Sequence, residues 1–140
     1  MSVMDVLLPV FVQVILTLVV AYMLAYKRVT LVRSGELRGK KISLREPNWP
    51  DDTRKVENSY LNQFELPVLF YVLMILLLIT RQADFILMTL AWIFVALRIV
   101  HAYVHLTSNR LPLRGPIFIL GAIVLTIMWI LFMVSIIRVY

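Results

Sequence analysis

The chain has 140 residues, of which 61% are hydrophobic, and a mean hydropathy of +0.89 that excludes an ordinary soluble domain. Its net charge is +6, which in a soluble protein would suggest a nucleic-acid partner. Here the basic residues cluster between apolar segments, so we attribute the charge to membrane topology and predict no nucleic-acid partner. The absence of cysteine excludes a disulfide framework, a thiolate metal site and a cysteine nucleophile.

Four long apolar segments predict an all-α membrane protein. About 20 consecutive apolar residues span a bilayer as a helix. Unbroken Leu, Ile and Val runs favour helices, because a barrel would alternate polar and apolar residues. We therefore predict a single domain, residues 1–140, built as an antiparallel bundle of four transmembrane helices. Their predicted bounds are about 6–26, 58–80, 85–106 and 116–137, with one substantial loop over 27–57.

The first apolar segment is predicted to be a retained transmembrane helix. Residues Met1 to Asp5 carry no basic side chain, and the apolar run that follows is too long for a signal peptide. Gln13 and Thr17 lie four residues apart on this helix. They either face the bundle or are polar residues tolerated against lipid, and the sequence leaves both open. In the following loop, Trp49 is expected near the lipid headgroups.

The basic residues are distributed unevenly between the two ends of the predicted bundle. The loop 27–57 holds nine Lys and Arg, and Arg110 and Arg114 bring that side to eleven, whereas the other side has only Arg81 and Arg138. The positive-inside rule places the basic side in the cytoplasm. For a bacterial protein this predicts an inner-membrane location with both termini in the periplasm.

The second apolar helix has a polar beginning and an internal proline. Asn58, Asn62 and Glu65 are spaced i, i+4, i+7 and so share one helical face. Pro67 lacks a backbone donor and is expected to kink the helix. In the third helix, four polar side chains also share one face: Arg98, His101, His105 and Asn109.

The two polar faces are predicted to meet inside the bundle. On a rise of 1.5 Å per residue, Glu65 lies about 10 Å inward from Asn58, and Arg98 lies about 12 Å inward from the end of its helix. Because an unpaired buried charge is costly, we predict a Glu65–Arg98 ion pair. The layers nearer the cytoplasm would pair Asn62 with His101, and Asn58 with His105.

Two interpretations of these polar layers remain open. In the first, they only fix helix register and oligomeric state, as buried polar groups commonly do. In the second, they border a cytoplasm-facing pocket for an anionic, amphipathic ligand, since ionisable residues inside the membrane are functional candidates. His101 and His105 alone provide too few ligands to predict a metal. A two-carboxylate or Ser-His-Asp hydrolase is not supported, because Glu65 is the only carboxylate predicted within the membrane.

The motif N-x-x-E-x-P-x-x-F, at Asn62, Glu65, Pro67 and Phe70, resembles the signature of the MAPEG family, the membrane-associated proteins in eicosanoid and glutathione metabolism. The length, the basic first loop and the R-x-x-H of the third helix also agree with this family, so the resemblance covers nearly the whole chain. The chain looks most similar to small bacterial members. The resemblance implies a homotrimer of four-helix protomers. Glutathione would bind between subunits near the cytoplasmic side, and a lipophilic substrate would enter from the bilayer.

The resemblance also implies roles for individual residues. Arg114 corresponds to the arginine that stabilises the glutathione thiolate and is the candidate catalytic residue. Six further residues correspond to positions at or beside the glutathione site: Arg28, Asn62, Glu65, Arg98, His101 and His105. The chain departs from the family pattern at three positions: Gly115 replaces a catalytic Ser, His105 replaces a Tyr, and Leu61 replaces an Arg.

Taken together, these features predict a MAPEG-like membrane protein. If it is an enzyme, the expected activity is that of a glutathione-dependent transferase or peroxidase acting on lipophilic electrophiles. The alternative is a non-enzymatic membrane subunit or scaffold of a larger complex. A transporter is less well supported, because the chain lacks the inverted repeats and paired broken helices of such proteins.

Overall fold

The computed structural model describes residues 1–37 and 48–139, and within those ranges it is helical with no strand. The elements in chain order are α1 (Val3–Ser34), α2 (Asp51–Leu61), a 3-10 turn (Asn62–Phe64), α3 (Leu66–Thr80), α4 (Phe85–Leu106) and α5 (Leu111–Val139). Within these described ranges, four helical stretches are long and apolar enough to cross a membrane, and α2 and α3 together form one of them. The predicted all-α bundle of four spanning helices is therefore confirmed. The middle of the predicted basic loop, residues 38–47, lies outside the described residues.

The helix bounds differ from the predicted ones mainly at the polar ends. The third predicted helix, 85–106, coincides with α4, but α1 continues past residue 26 to Ser34, and α2 begins at Asp51. Charged residues end the apolar span without ending the helix. The helix stops instead at Gly35, whose φ of 78° is the left-handed conformation that commonly closes a helix. α5 likewise begins before the first predicted residue, at Leu111.

The second spanning stretch is broken at Glu65. This residue has φ −95° and ψ −105°, outside the helical region, between the 3-10 turn and α3. Pro67 lies in the first turn of α3, where its missing N–H costs nothing because that donor has no intrahelical partner. The kink predicted at Pro67 is therefore not inside a continuous helix: the helix is broken two residues earlier, at Glu65. The carbonyls at the end of the preceding segment leave the regular helical ladder and need other donors.

The interior of the bundle is filled by side chains of α3, α4 and α5. Phe70 stacks on Phe94 with ring centroids 4.8 Å apart, and Leu73, Leu77 and Met128 are fully buried around them. α4 packs most extensively on α5. Many large apolar side chains point outward. In a bilayer this outward face meets lipid, so close packing and hydrogen bonds, rather than the hydrophobic effect, hold the helices together.

A buried polar contact joins α1 to the second spanning stretch. Gln13 Nε2 donates to Gln63 Oε1 at 3.1 Å, and Gln63 Nε2 donates to the Ser59 carbonyl at 3.2 Å. Gln13 has no exposed surface, so of the two possibilities left open for it, the inward-facing one is correct. Gln63 was not identified from the sequence. Its burial shows that the face of α2 directed into the bundle is the one carrying Val56, Ser59 and Gln63.

Most described basic residues lie at one end of the bundle, where α1 ends, α2 begins, α4 ends and α5 begins. We call this the basic end; its described Lys and Arg are Lys27, Arg28, Arg33, Arg54, Lys55, Arg110 and Arg114. Arg81 and Arg138 lie at the opposite end. At the basic end, Lys27 pairs with Asp52, and Arg28 pairs with Glu57 at 2.6 Å and lies over the Trp49 ring. These contacts tie α1 to α2. The expected headgroup position of Trp49 stays a prediction.

Candidate functional site

A cleft of about 330 Å³ opens at the basic end between the break at Glu65 and the start of α5. Its polar lining comes from Asn62, Glu65, His101 and Arg114, and Phe118 and Ile119 are among its apolar lining residues. The candidate residues were predicted on four segments, and three of these meet at the cleft: the second spanning stretch, α4 and α5. Phe118 was not predicted, although it lies four residues after Arg114 and so on the same face of α5.

Arg114 is held in the cleft by the end of α4. Its Nη1 donates to His105 Nε2 at 2.9 Å and to Asn109 Oδ1 at 2.6 Å. Asn109 lies beyond the last residue of α4 with a φ of 50°, a left-handed conformation that asparagine adopts more readily than most residues. This turn reverses the chain into α5 and brings Asn109 and His105 to the same guanidinium. The sequence placed His105 and Asn109 on one face but did not identify their partner.

The predicted Glu65–Arg98 ion pair is wrong for this protomer. Arg98 is only 1% exposed, and its Nη2 donates to the Asn62 carbonyl at 2.9 Å. Across residues 1–37 and 48–139, no ion pair joins Arg98 to Glu65, whose side chain is exposed on the cleft wall. The prediction assumed a continuous helix through Glu65. The break there turns the carboxylate outward and presents a backbone carbonyl to Arg98 instead.

The two outer polar layers are only partly as predicted. Asn62 and His101 do line the same cleft. Asn58 is exposed, and its carbonyl accepts from Asn62 Nδ2 at 2.9 Å, whereas His105 is buried and bonded to Arg114. The Asn58–His105 layer is therefore not formed. The reason is that α2 turns Ser59 and Gln63, rather than Asn58, into the bundle.

Several buried polar atoms around the cleft have no hydrogen-bond partner within the described part of the chain. They are Arg98 Nε and Nη1, His101 Nδ1 and His105 Nδ1. The two imidazoles are edge to face with centroids 5.8 Å apart, and His101 lies 5.8 Å from the Phe118 ring. No group of three metal-ligating side chains forms in the described ranges. Unsatisfied buried donors are costly, so this region is suited to accept a polar ligand or ordered water.

Of two further positions singled out in the sequence, Gly115 lines the cleft and Arg28 does not. Arg28 is engaged by Glu57 and Trp49 and is not among the residues that line the cleft, so the protomer does not bring it to the other candidates. Gly115 does line the cleft, at the position where the resemblance implied a Ser. The cleft wall therefore has no hydroxyl at this point beside Arg114.

These features define a class: an integral membrane bundle of four spanning helices with a charged cleft at one end. A sequence model of the MAPEG family matches residues 6–134 of the 140-residue chain. The chain belongs to the MAPEG family. Searches of curated proteins and of solved structures each returned no match.

Proposed function

We propose that this protein is a glutathione-dependent transferase or peroxidase that acts on lipophilic electrophiles at the cleft. The observation that carries the proposal is the position of Arg114, a half-buried cation fixed at the cleft of a bundle of this family. A cation in a low-dielectric site stabilises a thiolate far more strongly than it would in water.

The side chains of the cleft fit the chemistry of glutathione. That tripeptide carries two carboxylates, one ammonium group, two peptide groups and a thiol. Arg114 offers positive charge, Glu65 offers a carboxylate for an ammonium group, and Asn62 offers amide hydrogen bonds. The partnerless nitrogen atoms of Arg98 and His101 lie in the same region: those of Arg98 favour an anionic ligand, and Nδ1 of His101 favours a polar one.

The exposure of Glu65 supports a homotrimer in which a neighbouring protomer covers the cleft. A carboxylate within a membrane-spanning stretch is costly against lipid and usually faces protein or a polar cavity. The cleft volume of about 330 Å³ is also near the lower end for ligand sites, so a second wall would complete it. We propose that this wall comes from another copy of the chain.

An apolar groove supports a lipophilic second substrate. It measures about 340 Å³, lies between α3 and α5, and includes Leu66, Leu69 and Trp129. Leu66 directly follows Glu65, so one wall of the groove begins at the residue next to the cleft. Glutathione, when bound, would supply the nucleophilic thiol. Arg114 would then favour its thiolate form, and because Gly115 has no hydroxyl, the charge of Arg114 would act without help from a serine at that position.

Isothermal titration of the purified protein with glutathione tests this proposal. We expect saturable heat at up to millimolar ligand, since Arg114 and Glu65 match the ligand's charges. S-methylglutathione, which cannot form a thiolate, is the matched control and is expected to bind more weakly. Consumption of glutathione with a lipophilic electrophile or a lipid hydroperoxide would then separate transferase from peroxidase activity.

An absence of heat would remove the enzymatic proposal and favour a non-enzymatic membrane subunit or scaffold. One observation supports that alternative: Arg114 is already bonded to His105 and Asn109 inside the protomer. The partnerless nitrogen atoms of Arg98 argue against it, because a self-contained structural layer would be expected to satisfy them.

We further propose that the protein lies in a bacterial inner membrane with its basic end in the cytoplasm and both termini in the periplasm. Because the chain has no cysteine, single introduced cysteines can report this orientation. Ser108→Cys lies in the exposed turn between α4 and α5, and Val139→Cys lies at the opposite end. In intact spheroplasts, a membrane-impermeant maleimide should label Val139→Cys only, and Ser108→Cys should react only after the membrane is opened. The reverse pattern would contradict the orientation.

A further inference from the structure

The hydrogen bonds of Arg114 determine the protonation state of His105. A guanidinium is always charged and has donors but no acceptor. Since Arg114 Nη1 lies 2.9 Å from His105 Nε2, that nitrogen must accept and carry no proton. The proton of a neutral imidazole must then be on Nδ1, which is buried and has no partner among the described residues. Both hydrogens of Nη1 are used, one by His105 and one by Asn109.

We propose that His105, as the neutral Nδ1-protonated tautomer, and Asn109 are positioning residues that hold Nη1 of Arg114 and leave its Nε and Nη2 donors for the anionic ligand. Within residues 1–37 and 48–139, neither of these remaining donors makes a hydrogen bond. The ligand role of Arg114 rests on the proposed function. The positioning role of His105 rests on the geometry of α4 and α5 and can be tested separately.

The two acceptors are themselves held rigidly. His105 is 1% exposed on the inner face of α4. Asn109 is fixed by its own backbone, because its N–H donates to the Val104 carbonyl at 2.8 Å and closes the end of α4. A free arginine side chain loses conformational freedom when it binds a ligand. Here two hydrogen bonds within the protomer already restrict the Arg114 side chain, so its guanidinium is presented to the cleft in one orientation.

The surroundings of His105 also favour the neutral ring. Among the described residues, the charged and titratable groups near His105 are Arg114, Arg98 and His101, none of which is a carboxylate. A protonated ring at this position would remove the acceptor for Nη1 and place a further positive charge beside two arginines. His105 replaces the tyrosine implied by the family resemblance, and this chain therefore uses a different acceptor beside Arg114.

Nitrogen-15 NMR of histidine-labelled protein tests the tautomer directly. The chain has only two histidines, so the spectrum of a His101→Gln variant assigns both. We expect His105 to be neutral with its proton on Nδ1, and we expect its Nε2 shift to change in Arg114→Gln. An imidazolium, an Nε2-protonated ring or an unchanged Nε2 shift would overturn the inference. This measurement needs no glutathione.

Paired substitutions test the consequence for binding. His105→Gln keeps an acceptor of similar reach, whereas His105→Phe keeps a ring and removes the acceptor. We expect glutathione affinity to fall about tenfold in His105→Phe and to stay within about threefold of wild type in His105→Gln. The ultraviolet absorbance of the bound thiolate should fall in parallel. Tyr103→Phe, at an exposed position of the same helix, is the matched control.

The outcomes separate positioning from a purely structural role. If His105→Phe binds glutathione as wild type does, or if His105→Gln loses as much affinity as His105→Phe, the inference is wrong. Thermal unfolding of each variant shows whether a loss of affinity reflects lost folding. If wild-type protein does not bind glutathione, the proposed function fails, and the tautomer measurement alone decides whether His105 holds Arg114.

Discussion

Arg114→Ala is expected to weaken glutathione binding by roughly a hundredfold, the largest effect on binding of any single substitution in this chain. A hydrogen bond to a charged group is worth about 1.5–3 kcal/mol, which corresponds to roughly 10- to 150-fold in affinity. Arg114 lines the cleft as a cation, and two hydrogen bonds hold it there. Isothermal titration measures the affinity, and the ultraviolet absorbance of the bound thiolate measures the loss of charge stabilisation.

Two variants separate the role of Arg114 from a general effect of charge. Arg110→Ala removes the same charge four residues earlier at the same end, from an exposed side chain that makes no ion pair with any described residue, and should bind nearly as wild type does. Arg114→Lys keeps the charge but loses the two-acceptor geometry, so an intermediate affinity is expected. Equal losses in Arg110→Ala and Arg114→Ala would show that the cleft contributes only a diffuse positive field.

The largest loss of stability is expected from Arg98→Ala, about 3 kcal/mol. The substitution leaves the Asn62 carbonyl without its side-chain donor at the helix break, and it opens a cavity in the bundle. One effect opposes the loss, because removing a poorly paired buried cation relieves its desolvation cost. Arg98→Met removes the charge but keeps most of the side-chain volume, so it isolates the relief of the desolvation cost from the effect of a cavity. We expect a smaller loss of stability for this variant, about 1 kcal/mol. Unfolding in detergent measures both.

Glu65→Gln is the control for the Arg98 variants. The Glu65 side chain is exposed and forms no ion pair within the described ranges 1–37 and 48–139, so its substitution should change stability by less than about 1 kcal/mol. A loss as large as that of Arg98→Ala, with a double variant no worse than either single one, would show that the two side chains act as a pair in the assembled protein.

Local physical chemistry explains which features were predictable from the sequence. Hydropathy over about 20 residues identified the four spans, and the asymmetric Lys and Arg identified the basic end. The lack of a backbone donor at Pro67 indicated an irregularity in the second helix, which the structure places two residues earlier, at Glu65. The motif around Asn62 and Glu65 indicated the family that the sequence model then established. Each of these signals depends only on neighbouring residues or on the composition of one segment.

The partners of the polar side chains were decided by the tertiary structure. The helix is broken at Glu65, and beside this break Arg98 donates to the Asn62 carbonyl rather than to the Glu65 carboxylate. Gln63, rather than Asn58, turns into the bundle, and Arg114 meets His105 because the chain reverses at Asn109. Helical periodicity gives the face on which a residue lies, but the rotation of one helix against another decides which side chain it reaches. The sequence by itself therefore determined the spans, the charged end and the candidate residues, whereas helix rotation and the turn geometry decided which of those residues share a cleft.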